Sequence, residues 1–180
     1  MNVYDIIKDY YPEGSDVFDT LVRHSEQVAE KAVKAGEKAR HLNPDLDFVW
    51  EAAMLHDIGI FLTDKPEIGC HGQSRYIYHG RLGRDLLEKR GFPAHALVCE
   101  RHVGVGITAA EAKKHAFPTP GRDMSPVSLE EKIICYADKF FSKSPGKEHE
   151  EEKIEDILKE LEGYGPGKAD IFRQWVGMFH

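Results

Sequence analysis

Four histidine and aspartate residues carry the chemistry that this sequence could perform. They are His24, the adjacent pair His56 and Asp57, and Asp138. His24 lies on the apolar stripe of one predicted helix, and Asp138 lies on the apolar side of another. Imidazole and carboxylate groups that point toward a core are costly unless they are paired or bind a metal ion. Two nitrogen donors and two oxygen donors suit a divalent cation such as Fe, Mn, Zn or Ni.

In their order along the chain, these residues resemble the pattern of the HD-domain metal hydrolases. The family has a His, then a His-Asp pair, then a distant Asp, on successive helices of an all-α bundle. His24, His56-Asp57 and Asp138 occupy these places, and the string His-Asp-Ile-Gly at 56–59 matches the HDIG variant. The resemblance covers residues 20–143.

The binuclear branch of this family has two further histidines between the pair and the last aspartate. His79 and His102 correspond to them. The resemblance therefore implies two divalent metal ions, with iron as the first choice and Mn, Ni or Zn as alternatives. Asp57 would bridge the two ions, and His56 and Asp57 would be the catalytic residues. The implied ligands of the first ion are His24, His56, Asp57 and Asp138, and those of the second are His79, His102 and Asp57.

The resemblance also implies the reaction, which is hydrolysis of a phosphate ester or anhydride by a hydroxide held between the metal ions. A small phosphorylated substrate is expected, with a nucleotide or dinucleotide as the first choice. Two alternatives stay open. One is a di-iron oxygenase that uses the same six ligands, and the other is a metal-stabilised module that senses a nucleotide without turning it over.

Four arginines near the additional histidines are candidates for binding the substrate phosphate, because a guanidinium group can bind phosphate through two hydrogen bonds. They are Arg75, Arg81, Arg84 and Arg101. Some relatives carry a lysine directly after the HDIG string, where this chain has Ile60. The four arginines are the predicted substrate-binding residues, with Arg75 and Arg101 as the first choices.

The elements that must position these residues are all predicted to be helices, because the apolar residues recur with helical spacing and no alternating strand pattern is evident. Ser15 or Asp16 can cap the second helix, and Ser128 begins a capping box. Two longer loops are expected, over 60–72 and over 104–127. The predicted helices cover 1–11, 16–42, 48–58, 73–90, 93–103, 128–141, 148–161 and 169–178, with one further helical turn at 109–114.

A chain of 180 residues with 41% hydrophobic and 31% charged residues is typical of a globular protein. We expect one HD-type domain over 1–180, with the motif core at 20–143 and a helical extension at 147–180. The net charge of −7 disfavours a nucleic acid duplex as a partner. No apolar stretch is long enough to span a membrane, and the start of the chain does not resemble a signal peptide. A cytoplasmic protein is predicted, and its oligomeric state is left open.

Overall fold

The protein is a bundle of α-helices in a computed structural model that describes residues 2–117 and 121–180. The predicted all-α class is confirmed. Met1 of the first predicted helix and residues 118–120 of the second predicted loop lie outside the described residues. The helices in the described part of the chain are α1 (Val3–Lys8), α2 (Asp16–Lys38), α3 (Leu46–Leu55), α4 (His79–Lys89), α5 (Pro93–Arg101), α6 (Ala109–Lys114), α7 (Leu129–Asp138), α8 (Ile154–Tyr164) and α9 (Lys168–Phe179).

Helix α2 is the centre of the bundle and packs against both α3 and α7. Its first turn is capped as predicted, because the side chain of Ser15 accepts a hydrogen bond from the backbone N–H of Phe18 at 3.3 Å. Helix α7 begins at the predicted capping box, in which Ser128 and Glu131 each bond the other's backbone N–H. These caps fix where the two helices begin and therefore which of their residues face the core.

Helices α4 and α5 form an antiparallel pair that closes over the end of α3. The close approach depends on Gly59, because a Cβ at this position would lie 2.3 Å from the carbonyl oxygen of His79 and 2.4 Å from the backbone N of Gly83. A side chain here would separate the turn after α3 from the start of α4. Gly59 therefore brings the His56-Asp57 pair next to His79.

A small sheet lies in the predicted irregular loop at 60–72 and extends into the first residues of the predicted helix at 73–90. Its strands are β1 (Thr63–Lys65), β2 (Cys70–His71) and β3 (Ser74–Arg75), in the order β2-β1-β3. Strand β1 pairs antiparallel with β2 and parallel with β3. Strands of two or three residues are too short to show an alternating pattern in a sequence, which is why they were not predicted.

Three predicted helix boundaries are wrong by four residues or more. The helix predicted over 73–90 begins only at His79, after β3 and a 3₁₀ turn. The long second helix ends at Lys38 instead of residue 42, and a 3₁₀ turn follows it. The acidic segment at 148–152 is irregular, and α8 begins only at Ile154. Backbone groups in this segment form hydrogen bonds with other parts of the protein instead of helical ones. The carbonyl oxygen of Glu148 accepts a hydrogen bond from the side chain of Gln27 at 3.0 Å, and the N–H of Glu152 donates to the carbonyl oxygen of Phe140 at 2.8 Å.

The C-terminal helices α8 and α9 pack on each other, and α9 also packs on α7. Tyr136 of α7 stands at the centre of this contact, with its ring 5.6 Å from Phe172 and 5.5 Å from Phe179. All three side chains are buried. The last helices therefore share one hydrophobic core with the rest of the bundle. In the described part of the chain, no helix is both long enough and apolar enough to cross a membrane.

Candidate metal centre

Five elements bring the six predicted metal ligands together. His24 lies on α2, Asp138 ends α7, and His56 and Asp57 lie in the turn after α3. His79 begins α4, and His102 follows the last residue of α5. All six are buried, and none is more than 9% exposed. The segments that carry them are far apart in the sequence, so packing of the bundle creates the cluster.

Asp57 lies between two sets of donors. Its Oδ2 is 3.3 Å from Nε2 of His24 and 3.2 Å from Nε2 of His56. Its Oδ1 is 3.2 Å from Nε2 of His79 and 3.4 Å from Nε2 of His102. Asp138 joins the first set through Oδ1, which is 3.1 Å from Nε2 of His24. Each oxygen of Asp57 thus belongs to a different donor set.

Backbone carbonyl groups fix three of the imidazole rings. Nδ1 of His56 lies 2.6 Å from the carbonyl oxygen of Ala53, and Nδ1 of His79 lies 2.7 Å from that of Tyr76. Nδ1 of His102 makes the same contact, at 2.8 Å, with its own helix. A carbonyl can only accept, so Nδ1 carries the hydrogen and Nε2 turns its lone pair toward the cluster. This is the usual support for a metal-binding histidine.

Burial and charge set the protonation of the cluster. Burial lowers the pKa of His79 to about 3 and also lowers the pKa of His102, so both imidazoles are neutral at pH 7. Burial alone would raise the pKa of Asp57, but the nearby Lys143 and His56 hold it well below its usual value. Neutral imidazoles and an ionised carboxylate are the forms that bind metal ions. His56 differs in the metal-free protein: burial opposes its charge, but Asp57 and Asp138 raise its pKa to about 9, so a proton must leave it when a metal ion binds.

Some of the atoms that could bind a metal ion make no hydrogen bond, although other ligand atoms lie nearby. Nε2 of His56 and Oδ1 of Asp57 are buried and have no hydrogen-bond partner among the described residues. The donor atoms form two groups in which all atoms lie within 4.8 Å of one another, one of His24, His56, Asp57 and Asp138 and one of Asp57, His79 and His102. Unpartnered buried donors of this kind fit divalent metal ions.

Lys143 is a member of the cluster that sequence reasoning missed. Its Nζ donates to Oδ2 of Asp57 and lies 2.9 Å from Nε2 of His24. Burial opposes the charge on this side chain, but Asp57 raises the pKa of Lys143, so the ammonium group stays charged. Lys143 lies in the irregular segment after α7, where helical periodicity gives no information about the direction of a side chain. Its position shortly after Asp138 was the available signal.

The four predicted substrate-binding arginines lie outside the cavity that opens on the cluster, as far as the described residues define it. Arg101 donates to Glu131 at 2.7 Å, and Arg84 bonds Glu100 at 3.3 Å and forms an ion pair with Glu88. The guanidinium group of Arg75 lies 5.9 Å from the ring centre of Tyr78, and Arg81 lies on α4. Their role in substrate binding stays a prediction.

The cavity has a volume of about 670 Å³ and is lined by His79, His102 and Asp138 of the cluster. Lysines, rather than arginines, supply its positive charge. Those that line it are Lys65, Lys139, Lys143 and Lys168. Tyr76 lies between the cluster and Lys65, whose Nζ is 4.1 Å from the centre of the tyrosine ring. Glu111, Glu152 and Glu160 also line the cavity, so the metal ligands border a space that carries charged side chains of both signs.

A helical bundle in which a His-Asp pair meets one histidine and one distant aspartate is the arrangement of the HD-domain metal-dependent phosphohydrolases. The HD domain family model matches residues 21–142 of this chain. The chain belongs to this family, and the predicted family membership is confirmed.

Curated proteins include relatives of two kinds. The chain is 33% identical over 147 residues to the uncharacterized protein MJ0778 of Methanocaldococcus jannaschii, and the match covers 80% of this chain and 76% of that protein. It is 32% identical over 125 residues to the tRNA (cytidine(56)-2'-O)-methyltransferases of Thermoplasma volcanium and Picrophilus torridus. Those matches cover 69% of this chain but only 32% of each methyltransferase.

Solved structures with the same fold include the HD domain of the phosphodiesterase PgpH of L. monocytogenes. In its complex with cyclic-di-AMP, that domain aligns with a TM-score of 0.55 and 16% identity over 97% of this chain and 93% of the other. The structure of the domain without this ligand aligns with a TM-score of 0.54. At 16–17% sequence identity, this similarity shows only that the two domains share a fold.

Proposed function

We propose that this protein hydrolyses a phosphate ester or anhydride of a nucleotide or dinucleotide at a binuclear metal centre. The observation that carries the proposal is the position of Asp57, whose two oxygens face two separate sets of donors. His24, His56 and Asp138 would complete the first site, and His79 and His102 the second. The proposal treats residues 1–180 as a single domain, with 147–180 as its helical extension.

Iron is the first choice for the metal ions, with Mn, Ni or Zn as alternatives, since the donor set combines imidazole nitrogens with carboxylate oxygens. The nearby thiols of Cys99 and Cys135 are not in the set, since they donate instead to the carbonyl groups of Leu55 and Arg101. When bound, the metal ions supply a nucleophile derived from water near neutral pH and offset negative charge on the phosphoryl group.

The protein itself would hold and orient the reacting groups. The backbone carbonyl groups keep the histidine Nε2 atoms directed at the centre, and Asp57 stays ionised because the neighbouring cations favour its charged form. Lys139 and Lys143 line the cavity beside Asp138 and provide positive charge for a phosphate group. Burial of the ligands excludes bulk water, which strengthens these electrostatic interactions.

Two observations support a nucleotide as the substrate. The cavity volume of about 670 Å³ lies in the range of small-molecule sites, which is enough for a nucleotide. A protein of the same fold, the PgpH domain, was solved with cyclic-di-AMP, which contains two nucleotides. The methyltransferase relatives share about a third of their length with this chain, so their activity gives no further support for a substrate.

Release of inorganic phosphate or of a nucleoside monophosphate tests the proposal. Protein purified without chelator and loaded with Mn²⁺ or Fe²⁺ should turn over members of a nucleotide panel, with and without O₂. His56→Ala and Asp57→Ala should each abolish turnover. His95→Ala is the matched control, because His95 is a largely buried histidine that lies 3.6 Å from Glu51 and outside the cluster. Unchanged turnover in Asp57→Ala, or a requirement for O₂, would contradict the proposal.

A further inference from the structure

One wall of the cavity comes from the chain beyond the match to the family model, which ends at residue 142. The C-terminal part of this wall is formed by the second half of α8 and the start of α9. Glu160, Leu161, Tyr164 and Lys168 line the cavity from this side. The family core thus provides the metal ligands, whereas the extension shapes the space in which a substrate would lie.

Lys168 fixes this wall to the rest of the site. Its side chain is buried, and its Nζ donates to the carbonyl oxygen of Gly106 at 2.7 Å and to Oε2 of Glu111 at 2.7 Å. Gly106 lies in the loop that follows His102, and Glu111 lies on α6. Leu161 is also buried and anchors α8 in the core. Both helices of this wall, α8 and α9, are therefore fixed to the rest of the protein.

Tyr164 is the exposed aromatic residue of this wall. It is the last residue of α8, and its side chain is 63% exposed although it lines the cavity. The other large hydrophobic residues of the described chain with comparable exposure, Leu42, Val127 and Met178, do not line the cavity. The hydroxyl of Tyr164 donates to Oε1 of Glu160 at 2.7 Å, which restrains the ring at the cavity rim.

Three of the lysines that line the cavity are each close to a carboxylate. Lys143 contacts Asp57, Lys139 lies 3.5 Å from Asp138, and Lys168 bonds Glu111. Metal ions held by the cluster would therefore be the main attraction for a phosphate group. The α8 wall adds the carboxylate of Glu160 beside the ring of Tyr164, so a phosphate group would be repelled there and the uncharged part of a phosphate ester would face Tyr164.

We propose that Tyr164 stacks on the nucleobase of the substrate and that the C-terminal extension thereby determines specificity. The inference rests on the proposed function, because it assumes that the phosphate group binds at the metal centre. Every nucleobase has a flat ring that can stack on an aromatic side chain, so this contact favours phosphate compounds that carry a base over those that do not. Tyr164 is a specificity-determining residue in this sense, and Lys168 is a positioning residue that holds the wall to which it belongs.

Binding of two matched phosphonates tests the inference without turnover. One is an analogue of AMP in which CH₂ replaces the bridging 5′ oxygen, and the other is the same phosphonate of ribose without a base. Calorimetry with the Mn²⁺-loaded full chain should show that Tyr164→Ala weakens binding of the AMP analogue about tenfold. The same variant should leave binding of the ribose phosphonate unchanged, and Tyr164→Phe should retain wild-type affinity for both.

Met178→Ala serves as the control, because Met178 is an exposed residue of the same extension outside the cavity. Equal affinities of the wild-type protein for the two phosphonates would overturn the inference, and so would an equal loss of both in Tyr164→Ala. A Tyr164-dependent preference for the AMP analogue in a protein that hydrolyses no phosphate compound would uphold the inference and reject the proposed hydrolysis. Hydrolysis of phosphate compounds without any preference for those that carry a base would uphold the proposed hydrolysis and reject the inference about Tyr164.

Discussion

The ammonium group of Lys143 lies 2.9 Å from Nε2 of His24, among the side chains that can hold a metal ion. It also contacts the buried carboxylate of Asp57 and, with His56, provides the positive charge beside it in the metal-free protein. Removal of Lys143 leaves this buried carboxylate only partly compensated. Lys143→Met should therefore lower the free energy of unfolding of the metal-free protein by about 3 kcal/mol, measured by urea denaturation with a chelator present.

The same variant should behave differently with metal. A bound cation supplies the positive charge that Lys143 provided, so the loss of stability in Lys143→Met should shrink when Mn²⁺ is saturating. Lys65→Met is the control, since Lys65 lines the same cavity but lies over the ring of Tyr76. An equal loss with and without Mn²⁺ would show that Lys143 stabilises the fold by a route other than Asp57.

Loss of either histidine from the second donor set, which consists of Asp57, His79 and His102, should remove one metal ion and leave the other bound. His79→Ala and His102→Ala are each expected to reduce the bound metal from two ions per chain to one, because the first set keeps its own three ligands besides Asp57. Asp57→Asn should reduce the content below one, since both sets share this carboxylate. Elemental analysis after dialysis measures these numbers. His95→Ala should retain two ions, and a content of two in His79→Ala would refute the assignment of the second site.

Gly59 is expected to be intolerant of a side chain. A Cβ there would meet backbone atoms of His79 and Gly83 that cannot move aside independently of α4. Gly59→Ala should lower the free energy of unfolding by about 3 kcal/mol through overpacking. Gly177→Ala is the control, because its Cβ would meet nothing within 4 Å and alanine favours a helix. Chemical denaturation of both variants checks this, and equal stabilities would contradict the close contact.

The bond between Lys168 and Glu111 should give a pH-dependent contribution to stability. Although burial opposes it, Lys168 lowers the pKa of Glu111 below 4.5 in the folded protein. The stabilisation is therefore present above pH 4.5 and is lost as the pH falls and Glu111 is protonated. Lys168→Met should cost about 1 to 2 kcal/mol at pH 7.

This difference should narrow toward acid pH, which thermal or urea unfolding at several pH values can follow. Lys113→Met is the control, since Lys113 is an exposed lysine on the same short helix as Glu111. A difference between wild type and Lys168→Met that stays constant down to pH 4 would show that Glu111 is not the partner that matters.

Sequence could predict the six ligands because two of them stand on apolar helical stripes and the others follow the order of residues in the family pattern. His24 and Asp138 stand on apolar helical stripes, and a buried polar residue at such a position is visible in the periodicity. Lys143 follows the end of a helix, where the backbone direction depends on tertiary contacts. The arginines were chosen for their nearness in sequence to His79 and His102. Nearness along a chain does not determine which face of a helix meets the cavity, and Arg84 and Arg101 instead bond acidic residues.

The position of the C-terminal extension could not be predicted from the sequence either. The positions of α8 and α9 depend on where Tyr136 and its aromatic neighbours pack, and no local pattern states that their other side would form a cavity wall. The start of α8 was misplaced because the backbone of the acidic segment before it bonds Gln27 and Phe140. The number of metal ions and the role of the arginines stay predictions.

His24 and Asp138 meet although they lie 114 positions apart in the sequence. No short piece of this protein can therefore assemble the centre, and a metal ion bound there links the early and late parts of the polypeptide in one step. Occupancy of the centre therefore depends on long-range order: a chain in which only α2 and α3 had packed together would lack Asp138, His79 and His102. Metal binding would stabilise the folded state that assembles all six ligands over states that assemble only some of them.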